Sequence, residues 1–398
     1  MDEISQPQPG GRRRAIPLAA STLFVAISLG GGLVVQLYLK SLDTPLFLIS
    51  LTTSLHGVGM LIGAWLWGTV SDHVKRRRLL AFLTLGMSAS IGALVFLPSI
   101  GVVLAVSVLR SLMFAGTGVV AIAVISASSL AERRGKNLSY ISSARSMGFA
   151  TGSIVAGLAL AAVGYRATFA LFAFLPILAF AATWFLPSEN PVVHKDRIGA
   201  WKAIFSSGLS DLYLATALRQ MAIFGTFSLL YVYMESVGIP IHLMGIIAAS
   251  NTVTQVLAML FFGWLADRMG RRRIFMLGFF LSILTPLFLV LAVNIVGMIA
   301  AYVTLGLSFS ALYVGSTAHI GDRVPAHRHG QMLGLYESSR GLGGLFGPVI
   351  SGAITPLIGF KGLFLVMAGI ATLGFLVMLF GRTVLGRRIV VDEAPEGR

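Results

Sequence analysis

Residues 263–273 read GWLADRMGRRR, one acid and four arginines set between two long apolar runs. Residues 68–78, GTVSDHVKRRR, are a degraded copy of it. Gly68, Asp72 and Arg76–Arg78 keep the places of Gly263, Asp267 and Arg271–Arg273, while His73 stands where Arg268 does and Lys75 where Gly270 does. The two copies lie 195 residues apart (267 − 72), and that interval organises the whole chain.

Working outward without gaps, the same interval pairs Tyr38 with Tyr233, Ser41 with Ser236 and Pro45 with Pro240. It pairs Gly135 with Gly330, Arg145 with Arg340, Gly148 with Gly343, Gly152 with Gly347, Gly157 with Gly352 and Gly164 with Gly359. Shared hydropathy alone would be a weak signal. Glycines and arginines held in register from the first loop to the last mark a duplicated unit.

Each unit is written for lipid. The 398 residues are 56% hydrophobic and 11% charged, and mean hydropathy is +0.87. A water-soluble surface needs more polar residues than this. A crossing helix takes about 20 apolar residues, and twelve runs qualify: 15–39, 47–71, 79–97, 101–128, 138–163, 167–187, 209–234, 241–266, 274–293, 296–320, 331–358 and 362–381. Strands of a membrane barrel would be about ten residues long and would alternate. The sequence predicts an all-α integral membrane protein, twelve helices in two pseudo-symmetric six-helix bundles (15–187 and 209–381), with a polar linker at 188–208 and tails at 1–14 and 382–398. The first run is too long for a signal-peptide core and is read as a retained span.

Charge sets the orientation. Of the 30 lysines and arginines, 23 fall in the tails and loops on one side of the twelve runs, and only Lys40, Arg166 and Lys361 fall in loops on the other. The positive-inside rule places both termini in the cytoplasm, with the plasma membrane as the expected location. The net charge of +15 is then topological, with attraction to anionic lipid as a by-product, and nucleic acid is not an expected partner. With no cysteine, disulfides and thiolate chemistry are excluded.

Two six-span repeats of the same orientation suit alternating access around a midplane site. At this point the chain resembles the major facilitator superfamily over nearly its whole length. The loop signature of that family, Gly-x-x-x-Asp-(Arg/Lys)-x-Gly-(Arg/Lys)-(Arg/Lys), is met in full by Gly263, Asp267, Arg268, Gly270, Arg271 and Arg272, and in part by Gly68, Asp72, Arg76 and Arg77. The resemblance implies a secondary transporter of small organic solutes, with proton-coupled drug efflux as the first expectation and uptake or uniport of a metabolite as the alternative. It also implies a conformational latch at the cytoplasmic mouth made of Gly68, Asp72, Arg76, Gly263, Asp267, Arg268, Gly270 and Arg271. In this reading the two glycines admit a close helix, and the aspartates meet a helix end or an arginine. The alternative is that the arginines only fix topology. A non-transporting receptor that keeps the fold is a further class.

Charged residues inside the runs are costly, at least about 2.5–3.5 kcal/mol each at the bilayer centre, so each is a candidate. Away from the ends of the runs they are Arg110, Arg145, Arg219, Glu337 and Arg340. Arg110 and Glu337 break the repeat, their counterparts being Leu305 and Ser142. Arg110 resembles the span-4 arginine motif of the family, with its first glycine, Gly116, two places late. Arg219 is read as reaching a cavity or snorkelling to the cytoplasm. Glu337 is read as a proton carrier or as the structural partner of Arg340, one helical turn on. Uncharged cavity candidates are Gln36, His56, Tyr231, Asn251, Gln255, Tyr313 and Tyr336.

Span 5 resembles the efflux-antiporter motif through Gly148, Gly152 and Gly157, with Ser153 in place of the expected proline. The proline form stands in span 11 as Gly343, Gly347, Pro348 and Gly352. Helix packing is the plain role for all seven. His319, His327 and His329 near Asp322 lack ligand spacing and read as a cytoplasmic loop rather than a metal site. No phosphate-binding loop occurs. Neither a cofactor, a metal nor catalytic residues are expected, so the chain is not read as an enzyme. The expected partners are a small-molecule substrate, protons and the bilayer, with the protein acting as a monomer.

Overall fold

In lipid every backbone polar group must be satisfied within its own segment, which leaves helices as the economical solution for runs this long. The computed structural model describes residues 11–71, 73–96, 99–128, 131–186, 209–323 and 329–381. Its helices in chain order are α1 Gly11–Leu29, α2 Gly32–Ser41, α3 Leu46–Ser71, α4 Arg76–Phe96, α5 Ile100–Ser128 and α6 Ala131–Thr183. They continue with α7 Ser210–Phe227, α8 Leu230–Ser236, α9 Ile241–Met269, α10 Arg271–Leu291, α11 Ile295–Arg323 and α12 His329–Phe380. No strand occurs among the described residues.

Nine stretches among the described residues are long and apolar enough to cross a membrane. Two of them, of 45 and 47 residues, are long enough for two crossings each, and each is broken once. Gly164 in α6 has φ 74 and ψ −178, and Gly359 in α12 has φ 70 and ψ 177. That conformation is nearly closed to residues with a Cβ, so each glycine lets one helical run turn back as the next. Counted as two crossings each, and with α7–α8 added, they are consistent with the twelve runs of the sequence.

Two compact units emerge, one of residues 1–194 with 229–252, the other of 195–228 with 253–398. The repeat assigns 229–252 to the second half, yet α8 and the start of α9 group with the first. In the first unit α1 packs chiefly on α6, and in the second α7 packs chiefly on α12. The glycines of spans 5 and 11 explain these seams. A Cβ on Gly148 would lie 2.6 Å from the Ala26 Cβ and from the Leu23 carbonyl oxygen. One on Gly152 would collide with the Ile27 carbonyl, and ones on Gly343 and Gly347 with the carbonyls of Ala217 and Met221. Close backbone approach between small residues is the usual device for joining helices in lipid. Gly157 packs instead on α9, where a Cβ would lie 3.0 Å from the Ile241 carbonyl oxygen. Gly352 is buried, and Pro348 lies inside α12. Apolar clusters fill the remaining space. Repeat-equivalent members, Leu80 with Phe275 and Ile125 with Ile320, are buried in the first and second units respectively.

Candidate transport site

The first span of each repeat is interrupted. Span 1 breaks between Leu29 and Gly32, and span 7 between Phe227 and Leu230. Subtracting the 195-residue interval puts the second break at 32–35 in first-repeat numbering, within a turn of the first. Gly30 lies in the first break, and its counterpart Gly225 lies inside α7, two residues before the second; each is packed tightly. A Cβ on Gly30 would lie 2.9 Å from Gly152 backbone atoms, and one on Gly225 would lie 2.8 Å from Ser351 Oγ. Interrupted hydrophobic segments at corresponding positions of two repeats are a pointer to a transporter binding site.

Beside the break in span 1 lies a small cavity of about 10 Å³, room for roughly one water molecule. Ser28, Gly31 and Val34 of span 1, Ser107 and Arg110 of α5 and Phe172 of α6 line it. The two serine hydroxyls are engaged, Ser28 Oγ donating to the Phe172 carbonyl at 2.7 Å and Ser107 Oγ to the Val103 carbonyl at 2.8 Å. The Arg110 Nε is buried with no hydrogen-bond partner among the described residues, and so is Nδ1 of His56 on α3. A guanidinium whose Nε–H has no acceptor in a low-dielectric setting is a costly arrangement to keep for packing alone.

The second unit treats its arginines differently. Arg219 is 1% exposed, so it neither snorkels nor opens to a cavity. Its Nε donates to Ser282 Oγ at 2.9 Å, Nη1 to Gln220 Oε1 at 2.8 Å and Nη2 to Ser308 Oγ at 3.0 Å. Those serines sit on α10 and α11, so Arg219 ties three helices together through neutral acceptors. Arg340 Nη1 donates to both carboxylate oxygens of Glu337, at 2.9 and 2.8 Å. Its guanidinium also lies 5.1 Å from the centre of the Phe309 ring, which is stacked on Tyr313 at 5.6 Å. The Glu337 side chain is 54% exposed, so it is an accessible acid rather than a buried one. Tyr336 beside it is buried. Of the other candidates, Gln36 is buried, while Asn251 and Gln255 are partly buried on α9.

The loop motif is partly revised. Asp72 and the side chain of Asp267 lie outside the described residues. Among the described residues no close approach is made at the two leading glycines: a Cβ on Gly263 would meet nothing within 4 Å, and one on Gly68 only Val119 at 3.9 Å. The second motif glycine has the firmer reason to be there, since Gly270 caps α10 with φ 88 and ψ 139. Its counterpart Lys75 has no positive φ, so the degraded loop follows another path and does not require glycine. Arg76 is buried and donates from Nη1 to the Ala123 carbonyl at 3.1 Å, which links α4 to α5. Arg268 lies over the Trp264 ring at 4.1 Å, and Arg271 opens α10.

His319 is also corrected. It belongs to α11 rather than to a loop, is buried, and packs on the Phe275 ring at 5.0 Å. His327 and the side chains of Asp322 and His329 lie outside the described residues. No cluster of potential metal ligands occurs among the described residues. Sequence reasoning missed Ser282 and Ser308, whose roles depend on contacts 63 and 89 residues from Arg219.

A profile of the Major Facilitator Superfamily matches residues 18–238 and again 212–395. The multi-drug resistance efflux pump PmrA of Streptococcus pneumoniae is 24% identical, over 80% of this chain and 82% of its own. The multidrug resistance protein MdtG of Yersinia enterocolitica is 26% identical, over 77% and 76%. The riboflavin transporter RibZ of Clostridioides difficile is 26% identical over 34% of this chain and 29% of its own. Among solved structures, a bacterial homolog to the human lysosomal transporter Spinster superposes with TM-score 0.81 at 13% identity, over 96% of this chain and 99% of that one. The nucleoside transporter NupG does so with TM-score 0.76 at 15% identity, over 92% and 98%. With the profile matching both halves, the chain belongs to the major facilitator superfamily.

Proposed function

We propose that the protein is a secondary active transporter in the plasma membrane that exports small, largely apolar organic solutes in exchange for protons, working as a monomer with both termini in the cytoplasm. The observation that carries this is the matched break in spans 1 and 7, with the span-1 break lining the same cavity as Arg110. The relatives named as multidrug pumps, which match along most of both chains, favour export. The arginine-rich loops orient the chain.

In this reading Arg110, whose Nε has no partner among the described residues, supplies a positive charge to the pathway. In low dielectric such a charge attracts an electronegative part of the solute far more strongly than in water, and His56 adds a ring nitrogen. Glu337 carries the coupling proton: protonation removes the acceptor charge that holds Arg340, freeing that guanidinium and unloading the Glu337–Arg340 contact on α12. The proton gradient thereby biases one of two states.

Uptake of a metabolite is the second reading, favoured by Ser153 standing where the efflux motif of span 5 has proline. Flux in proteoliposomes, with a pH gradient imposed in each direction, tests both. Export of hydrophobic dyes driven by inward proton flow supports the first. Gradient-independent entry of one hydrophilic solute class supports the second.

A further inference from the structure

Lys40 and Glu235 are repeat equivalents (40 + 195), and they touch. Lys40 Nζ lies 2.8 Å from Glu235 Oε2. Residues related by a two-fold operation meet only where the operation brings them to its own axis, so the pair marks the pseudo-symmetry axis at the ends of spans 1 and 7. A faithful duplication would set like charge against like there, which repels. The repeat has diverged to opposite signs at this position, and a self-meeting has become an attraction.

The surroundings are otherwise copied in detail. Ser41 Oγ donates to the Tyr38 carbonyl at 2.7 Å, and Ser236 Oγ to the Tyr233 carbonyl at 2.7 Å. Tyr38 and Tyr233 are both buried. The first copy is braced further, by the Tyr165 hydroxyl donating to the Leu37 carbonyl at 3.1 Å and by the Tyr165 ring set edge-on to Tyr38 at 5.3 Å. Each charge thus projects from a fixed helix end. The ion-paired side chains keep 36% and 39% of their accessible surface, so the pair can part without stranding a buried charge. It also lies on the face away from the arginine-rich loops.

We propose that Lys40–Glu235 is a charge latch that holds the ends of spans 1 and 7 together on that face and parts when the pathway opens there. The proposal rests on the transporter reading, because alternating access is what requires these ends to separate. A contact present in one state biases the equilibrium by its own strength. An exposed ion pair is worth about a two- to fivefold bias, enough to set the resting state and weak enough to be overcome on every cycle.

The chain has no native cysteine, so spin labels at L42C and V237C report directly on these ends. Their separation is measured by pulsed electron resonance in liposomes. The ratio of long to short distances is expected to rise at least about twofold in K40E and in E235K, and less in K40A. It is expected to return to the parental value in K40E/E235K, which also shows that the single variants fold. An unchanged ratio in both single variants, or a swap that stays open, overturns the latch. Solute flux on the same liposomes separates the two ideas: absent flux with every solute removes the transporter reading, while the distances still decide the latch.

Discussion

Gly164 and Gly359, 195 residues apart, hold the same rare backbone conformation, φ 74 with ψ −178 and φ 70 with ψ 177. A Cβ would meet nothing within 4 Å at either, so space is not what requires glycine there. The requirement is torsional. Gly164→Ala and Gly359→Ala are each expected to cost about 1–3 kcal/mol, read as matched losses in thermal stability in detergent. An unequal pair would show that the two turns carry different loads.

The packing glycines give the opposite test. At Gly152 and Gly347 the obstacle is a carbonyl of the neighbouring helix, which cannot swing aside as a side chain can. Alanine there is expected to destabilise by about 1–3 kcal/mol. Gly263→Ala, helical and facing open space, is expected to be neutral or to stabilise by up to about 1 kcal/mol. Unfolding of the three variants side by side checks the ranking, and it fails if Gly263→Ala is the worst of them.

In the proposed account Arg219 serves structure and Arg110 serves transport. Arg219→Ala leaves a hole and loses three hydrogen bonds of a charged group, and about 2–5 kcal/mol of stability should go with it. Arg219→Met fills the space without a buried charge and should recover most of that loss. Arg110→Ala removes a guanidinium whose Nε is unpartnered, so stability should hardly change while transport falls by at least about tenfold. Thermal unfolding and flux, measured on all three, separate the roles.

Much of this architecture is legible in the sequence, because the duplication holds its glycines and charges in register and lipid permits few alternatives to helices. Contacts were harder to read. Arg219 looks like a cavity or snorkelling residue until its partners on α10 and α11 are known, and no local pattern ties Ser282 or Ser308 to it. The 195-residue interval puts Lys40 opposite Glu235, yet nothing in a sequence says which equivalent residues lie on the axis. Gly263 shows the reverse: the motif suggests a close approach that none of the described residues makes, whereas the glycine that the backbone needs is Gly270.

Glu337 pairs with Arg340 and is 54% exposed at its side chain, and the proposed function makes it the proton carrier. Glu337→Gln keeps the shape and removes the titration. Flux driven by a pH gradient is expected to drop to the rate seen without one, while solute exchange between equal pH compartments continues. Unchanged gradient-driven flux in Glu337→Gln would place the coupling proton elsewhere.

The most direct test of transport itself uses purified protein in liposomes, a broad panel of hydrophobic dyes and an imposed pH gradient, with Arg110→Ala in parallel. The account predicts solute movement against its own gradient, driven by opposing proton flow, and at least about tenfold less in Arg110→Ala. Absence of gradient-driven movement for every solute, or equal movement by Arg110→Ala, would contradict it.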